Sequence, residues 1–262
     1  MIPAPGRLAA PLAGPLAGQR VLVAYGLLGD VVSRLGVDYM RTQVSWMRGT
    51  LGADVTVVNL PTSAAVADNA RKLRASLVSD PRPALVVAHS KGGLEALEAM
   101  LDPSAAPHTR ALIALQCPFL GSPVADAILR TDPVHVIARG AAWLVGAGSG
   151  RGLADLTMRR RAVWMEAHRA EIAALVARLP VVCVAAIMDD TAPPGPDRNF
   201  RPLAQWIEKH GHGPNDGLVT VSSALLPGAR HMVIRAGHRG TVSPGRNRDP
   251  LGVLRRALDM AL

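Results

Sequence analysis

The stretch Ala84-Leu85-Val86-Val87-Ala88-His89-Ser90-Lys91-Gly92-Gly93-Leu94 decides how this chain is read. Its first five residues form an uninterrupted apolar run that suits a buried strand, and the segment from Lys91 to Leu101 has the composition of a helix. A serine caught between strand and helix sits on a tight turn. That turn lifts its hydroxyl above the sheet edge in a strained backbone conformation. Strand and helix pass close together there, so the residues two before and two after the serine must be small, and Ala88 and Gly92 are. The helix start turns N–H groups and the positive end of its dipole toward charge developing at the hydroxyl. This is the pattern of a nucleophile elbow, with Ser90 as the nucleophile.

Outward from the elbow, strand-like and helix-like segments alternate. Val21–Tyr25, Val55–Leu60, Ala111–Gln116 and Val181–Ile187 are further apolar runs, and Met232–Ile234 is a short last strand. Between them the spacing predicts helices over about 31–50, over Ala64–Val78 and over Pro250–Leu262. Continuous apolar strands separated by helices predict a mostly parallel sheet covered on both faces, hence an α/β fold. Right-handed crossovers then gather all strand C-terminal ends on one edge. Residues 1–20 form an Ala/Pro/Gly-rich N-terminal extension, and 21–262 form one domain. Within it, 124–160 is set apart by Pro133, by Gly146, Gly148 and Gly150, and by apolar stretches, and it is expected to be a helical lid insertion. An ordinary connecting helix pair is the alternative.

Composition narrows the class. The chain has 262 residues, of which 49% are hydrophobic, enough for a substantial core. The net charge of +9 is carried almost wholly by arginine, the only lysines being Lys72, Lys91 and Lys209. The arginines are scattered, and aromatics make up only 3%, so no nucleic-acid surface is expected. The densest run, Arg159-Arg160-Arg161, reads as a solvated helix face. Cys117 and Cys183 lie in apolar segments and are expected to be buried thiols, with one disulfide as the alternative. No His/Cys cluster has zinc-ligand spacing. The chain start lacks a basic region followed by an apolar run, which predicts a cytoplasmic protein without a signal peptide, and no stretch has the length of a stable membrane span.

An acyl-transfer serine needs a base to take its proton and a carboxylate to orient that base. On such elbows the chain order is serine, acid, histidine. Among eight histidines, His238 lies between the last strand and the last helix, on the edge where Ser90 is placed. His89 is turned away by the reversal of the chain, and His210, His212 and His231 are looser candidates. For the acid, Asp216 competes with Asp189 and Asp190, which end the preceding strand. Two backbone N–H groups are also needed to hold the oxyanion: that of Lys91, and one from the loop Gly26-Leu27-Leu28-Gly29, expected from Leu27.

At these residues the chain resembles the bacterial lipase and esterase branch of the α/β-hydrolases. Tyr25–Gly29 is similar to that family's His-Gly-Leu-x-Gly oxyanion loop, with Tyr25 in the place of histidine. Ala88–Gly93 is similar to its Ala-His-Ser-Met-Gly-Gly elbow, with Lys91 in the place of methionine. Pro118-Phe119-Leu120-Gly121-Ser122-Pro123 resembles the Thr-Pro-His-Arg-Gly-Ser-Pro segment, and Asn215–Val219 resembles the Asn-Asp-Gly-Leu-Val motif that carries the acid. In the family the histidine follows the acid by roughly twenty residues, and His238 follows Asp216 by 22, so the resemblance favours Asp216 over its rivals. It implies an α/β-hydrolase that cleaves carboxylic esters, small or polymeric, without a cofactor; esterase, lipase and polyester depolymerase share this chemistry. Acyl transfer or thioesterase action on the same three residues is the alternative, and a non-catalytic binding module is a third. Lys91 sets a cation beside the nucleophile, which suits either an anionic substrate portion or a solvent-facing amine. Family members that bind calcium use an aspartate two residues after the histidine. Gly240 stands there, so the resemblance carries no calcium site.

Overall fold

The computed structural model describes residues 16–25, 39–61, 63–130, 151–189, 197, 200–245 and 248–262. Six strands are present among them: β1 (Arg20–Tyr25), β2 (Asp54–Val57), β3 (Ala84–His89), β4 (Thr109–Leu115), β5 (Val181–Ile187) and β6 (Arg230–Arg235). They form one sheet in the order β2-β1-β3-β4-β5-β6, every pairing parallel. Parallel strands need crossovers, and helices supply them on both faces. The helices are α1 (Arg41–Gly49), α2 (Val66–Val78), α3 (Lys91–Leu101), α4 (Pro123–Leu129), α5 (Arg151–Ala154), α6 (Met158–Ala167), α7 (Arg169–Arg178), α8 (Arg201–Lys209), α9 (Val221–Ala224) and α10 (Pro250–Ala261). α3 packs between the sheet, α2 and α7, whereas α10 packs with α1 against β4 and β5.

The register explains where a site can form. Tyr25 pairs with His89 and His89 with Leu115, so β1, β3 and β4 end level with one another. The chain leaves β1 toward β2 on one side and returns to β3 on the other, so the strand order reverses between β1 and β3. Ligands of open parallel sheets bind outside the strand ends at such a reversal. β3 is buried at every position, as its apolar run requires.

Several expectations shift in detail. β1 begins at Arg20, inside the expected N-terminal extension, of which 1–15 lie outside the described residues. The helix expected over 31–50 is described only as α1, preceded by Met40 in the left-handed region (φ 59°). Of the 124–160 insertion, α4, α5 and the start of α6 are described, and 131–150 lie outside the described residues. Cys117 and Cys183 are both free and buried. No helix among the described residues is long and apolar enough to cross a membrane.

The arginine run is corrected. Arg159 and Arg160 are exposed, but Arg161 is buried. Its Nε donates to the Phe119 carbonyl at 3.2 Å, and its guanidinium lies 4.3 Å from the Trp164 ring centre. Burial lowers its pKa to about 10. An arginine one helical step from two solvated ones faces inward because a turn takes 3.6 residues.

Candidate active site

Ser90 sits between β3 and α3 with φ 54° and ψ −131°, a region that side-chain-bearing residues rarely occupy. The strain is held by the surroundings. Ser90 N donates to the Leu115 carbonyl at 3.0 Å, and its own carbonyl accepts from Gly93 N at 3.0 Å. The steric argument for a small residue two after the serine is met at Gly92. A Cβ on Gly92 would lie 2.4 Å from the Ala24 carbonyl oxygen of β1, a backbone atom with no freedom to yield. A Cβ on Gly93 would lie 2.1 Å from Cys117 Sγ, so the thiol fills the space that glycine leaves.

The structure brings Asp216 and His238 together with Ser90. His238 Nε2 is 3.0 Å from Ser90 Oγ, and its Nδ1 is 2.9 Å from Asp216 Oδ2. A carboxylate only accepts, so Nδ1 carries the hydrogen and the Nε2 lone pair faces the serine hydroxyl. The Asn215–Val219 motif explains the carboxylate's fixed direction. Gly217 takes φ 96° and donates its N–H to Asn215 Oδ1 at 2.8 Å, while Leu218 and Val219 donate to Asp216 Oδ1 at 3.0 and 2.8 Å. Ser122, from the segment after β4, donates to the Leu218 carbonyl at 2.6 Å and ties that turn to the sheet edge.

The rival residues lie elsewhere. Asp189 pairs with Arg235 at the surface, and Asp190 lies outside the described residues. His210 binds the Trp206 carbonyl within its own helix end, and His231 binds the Leu226 carbonyl. The Gly26–Gly29 loop, with the oxyanion donor expected from Leu27, lies outside the described residues. Lys91 is the first residue of α3, where a backbone N–H has no intrahelical acceptor. Both expectations for its side chain are overturned. The amine is completely buried and ion-paired with buried Glu95, one turn on, so it meets neither solvent nor substrate. Glu95 Oε1 also accepts from Asn69 Nδ2 at 2.7 Å.

One residue of this constellation carried no sequence signal. Gln116 follows β4 in the left-handed region (φ 52°), and its amide donates to Asp216 Oδ2 at 2.8 Å and to the Gly237 carbonyl at 3.0 Å. Thr241 Oγ1 donates to Gln116 Oε1 at 2.7 Å, which fixes the amide's orientation. Beyond His238, Arg239 and Arg248 converge on buried Asp197, Arg239 Nε at 2.9 Å and Arg248 Nη2 at 2.6 Å. Burial lowers the Arg248 pKa against the pull of that aspartate.

No protein-family model and no curated protein matches the chain. Among solved structures, a metagenomic carboxyl esterase superposes with a TM-score of 0.73 at 24% identity, over 98% of this chain and 79% of that one. A lipase of Bacillus licheniformis in its mature form gives 0.68 at 20% identity, over 87% of each chain. EstA from Clostridium botulinum gives 0.55 at 10% identity, over 88% of this chain and 84% of the other. Six parallel strands, an elbow at the strand-order reversal and these superpositions lead to one conclusion: the chain has the α/β-hydrolase fold.

Proposed function

We propose that this protein hydrolyses carboxylic esters through Ser90, His238 and Asp216. The observation that carries the reading is the unbroken line from Ser90 Oγ through both ring nitrogens of His238 to Asp216 Oδ2. Ser90 Oγ attacks the ester carbonyl while His238 Nε2 takes its proton. Asp216 holds the ring's tautomer and stabilises the imidazolium. The imidazolium returns the proton to the leaving alcohol, and water, activated by the same nitrogen, then releases the acid from the acyl-enzyme. The Lys91 N–H, at the positive end of α3, supports the oxyanion together with the Leu27 N–H. Short-chain esters, lipid esters and polyesters share this chemistry.

The test is turnover of p-nitrophenyl esters of graded chain length, alongside triglyceride and a polyester. Ser90→Ala lowers kcat by at least about 10⁴-fold with the fold intact, and Asp216→Asn by about 10³- to 10⁴-fold. Asp189→Asn leaves the rate at the wild-type level. Full activity in Ser90→Ala, or the large loss appearing in Asp189→Asn, refutes this assignment.

A further inference from the structure

The residue before the nucleophile has a buried side chain that the chemistry above does not use. His89 is fully buried, its ring 5.0 Å from the His238 ring and inclined to it by 48°. Its Nε2 is 3.0 Å from the main-chain carbonyl oxygen of His238. A carbonyl can only accept, so Nε2 bears the hydrogen and Nδ1 is left as an acceptor. Nδ1 is met by the hydroxyl of Tyr39, also buried, whose ring stands edge-on to His89 at 5.3 Å. His89 is thereby held as one neutral tautomer.

We infer that His89 is a positioning residue for the general base: it fixes where the His238 imidazole stands relative to Ser90. The bonds close a short ring. It runs from Ser90 across one peptide to His89, from the His89 side chain to the His238 carbonyl, and from the His238 side chain back to Ser90 Oγ. The torsions of the His89 side chain are a soft joint in that ring, and the Tyr39 hydroxyl restrains them. Tyr39 is registered by the same loop it helps to place, because Met40 N donates to the Val242 carbonyl at 2.8 Å and Gln43 Nε2 to the Thr241 carbonyl at 2.9 Å. Gln116 grips the preceding Gly237 carbonyl. Two consecutive carbonyls of the histidine loop are therefore held by separate side chains, one at the end of β3 and one just beyond β4.

The inference rests on the Ser90–His238 reading, and its test separates the two. His89→Gln keeps an N–H donor at the reach of Nε2, and His89→Leu fills similar space without one. With p-nitrophenyl butyrate, His89→Leu should lose about 10- to 100-fold in kcat with KM within about twofold, the size expected for a misplaced reacting group. His89→Gln should keep at least about a third of wild-type kcat. The rate of Ser90 labelling by a fluorophosphonate, which uses the same base, should fall in step. Tyr39→Phe, which releases Nδ1, should lower kcat about 3- to 10-fold, and it serves as the test if His89→Leu does not fold. Wild-type kcat in His89→Leu or in Tyr39→Phe overturns the inference, as does equal impairment of the Gln and Leu variants at equal Tm. A wild-type protein that neither turns over ester nor labels at Ser90 fails the Ser90 reading instead.

Discussion

The two neighbours of Ser90 are both polar and both fully buried, yet their surroundings differ in kind. On the His89 side every polar side-chain atom of Tyr39, His89, Gln116 and Thr241 has a partner, although the outlying Gln43 Oε1 and Ser243 Oγ have none. On the Lys91 side an ion pair is sealed under α3, and Glu95 Oε2 and Asn69 Oδ1 have no hydrogen-bond partner. Burial raises the Glu95 pKa, against the opposing pull of Lys91 and Asn69. A satisfied neutral network specifies geometry at little cost, whereas a buried ion pair roughly breaks even and punishes the loss of either partner. One flank of Ser90 is thus a hydrogen-bonded network, and the other a buried ion pair.

The contrast can be broken most forcefully at Lys91. Lys91→Met leaves Glu95 buried without its cation, and the expected loss is about 3–5 kcal/mol of stability. Lys91→Met with Glu95→Met removes the liability and should return the protein to within about 1 kcal/mol of wild type, or above it. Denaturant titration of the three proteins measures this, and a double variant as unstable as the single one contradicts the balance described.

A smaller effect sharpens the other flank. Burial, and secondarily the charge of His238, push the His89 pKa well below its ordinary value. The unfolded chain binds a proton at His89 near pH 6.5, whereas the folded one does not. Its contribution is therefore complete above about pH 6.5 and is lost as pH falls, at up to about 1.4 kcal/mol per pH unit. Glu95 and Glu98, raised chiefly by burial, act with the opposite sign on acidification. Both are retained in His89→Gln, so the difference in stability between wild type and that variant from pH 7.5 to 5 isolates His89; parallel curves exclude a buried neutral ring. Smallest is the cost of Tyr39→Phe to folding, about 1 kcal/mol for one hydrogen bond, read as a modest drop in Tm.

Much of this was legible because the relevant signals are local. The buried strands announce themselves as apolar runs, and the elbow as a serine between small residues. Asp216 was separable from Asp189 and Asp190 only through the resemblance, by the likeness of Asn215–Val219 to the family motif and the family's spacing to the histidine. The edge strand β6 was seen only in part: Met232–Ile234 is its apolar centre, whereas Arg230, His231 and Arg235 extend it with exposed side chains. Gln116 and Tyr39 were invisible because their roles exist only once β4, the 39–43 segment and the histidine loop converge. The burial of the Lys91 amine was not legible, because it exists only once α3 packs between the sheet, α2 and α7. Leu94, Ala96, Leu97, Ala99 and Met100 are buried on the apolar sides of α3, and Lys91 and Glu95 on its charged side are buried with them.

The seat of Cys117 under the elbow has a practical consequence. Its sulfur occupies the space beside Gly93, and burial pushes the thiol's pKa well above that of a free cysteine. An alkylating reagent therefore gains access only when the start of α3 lifts from the end of β4. The pace of alkylation at this position would act as a clock for breathing of the elbow, readable in the intact protein without substrate.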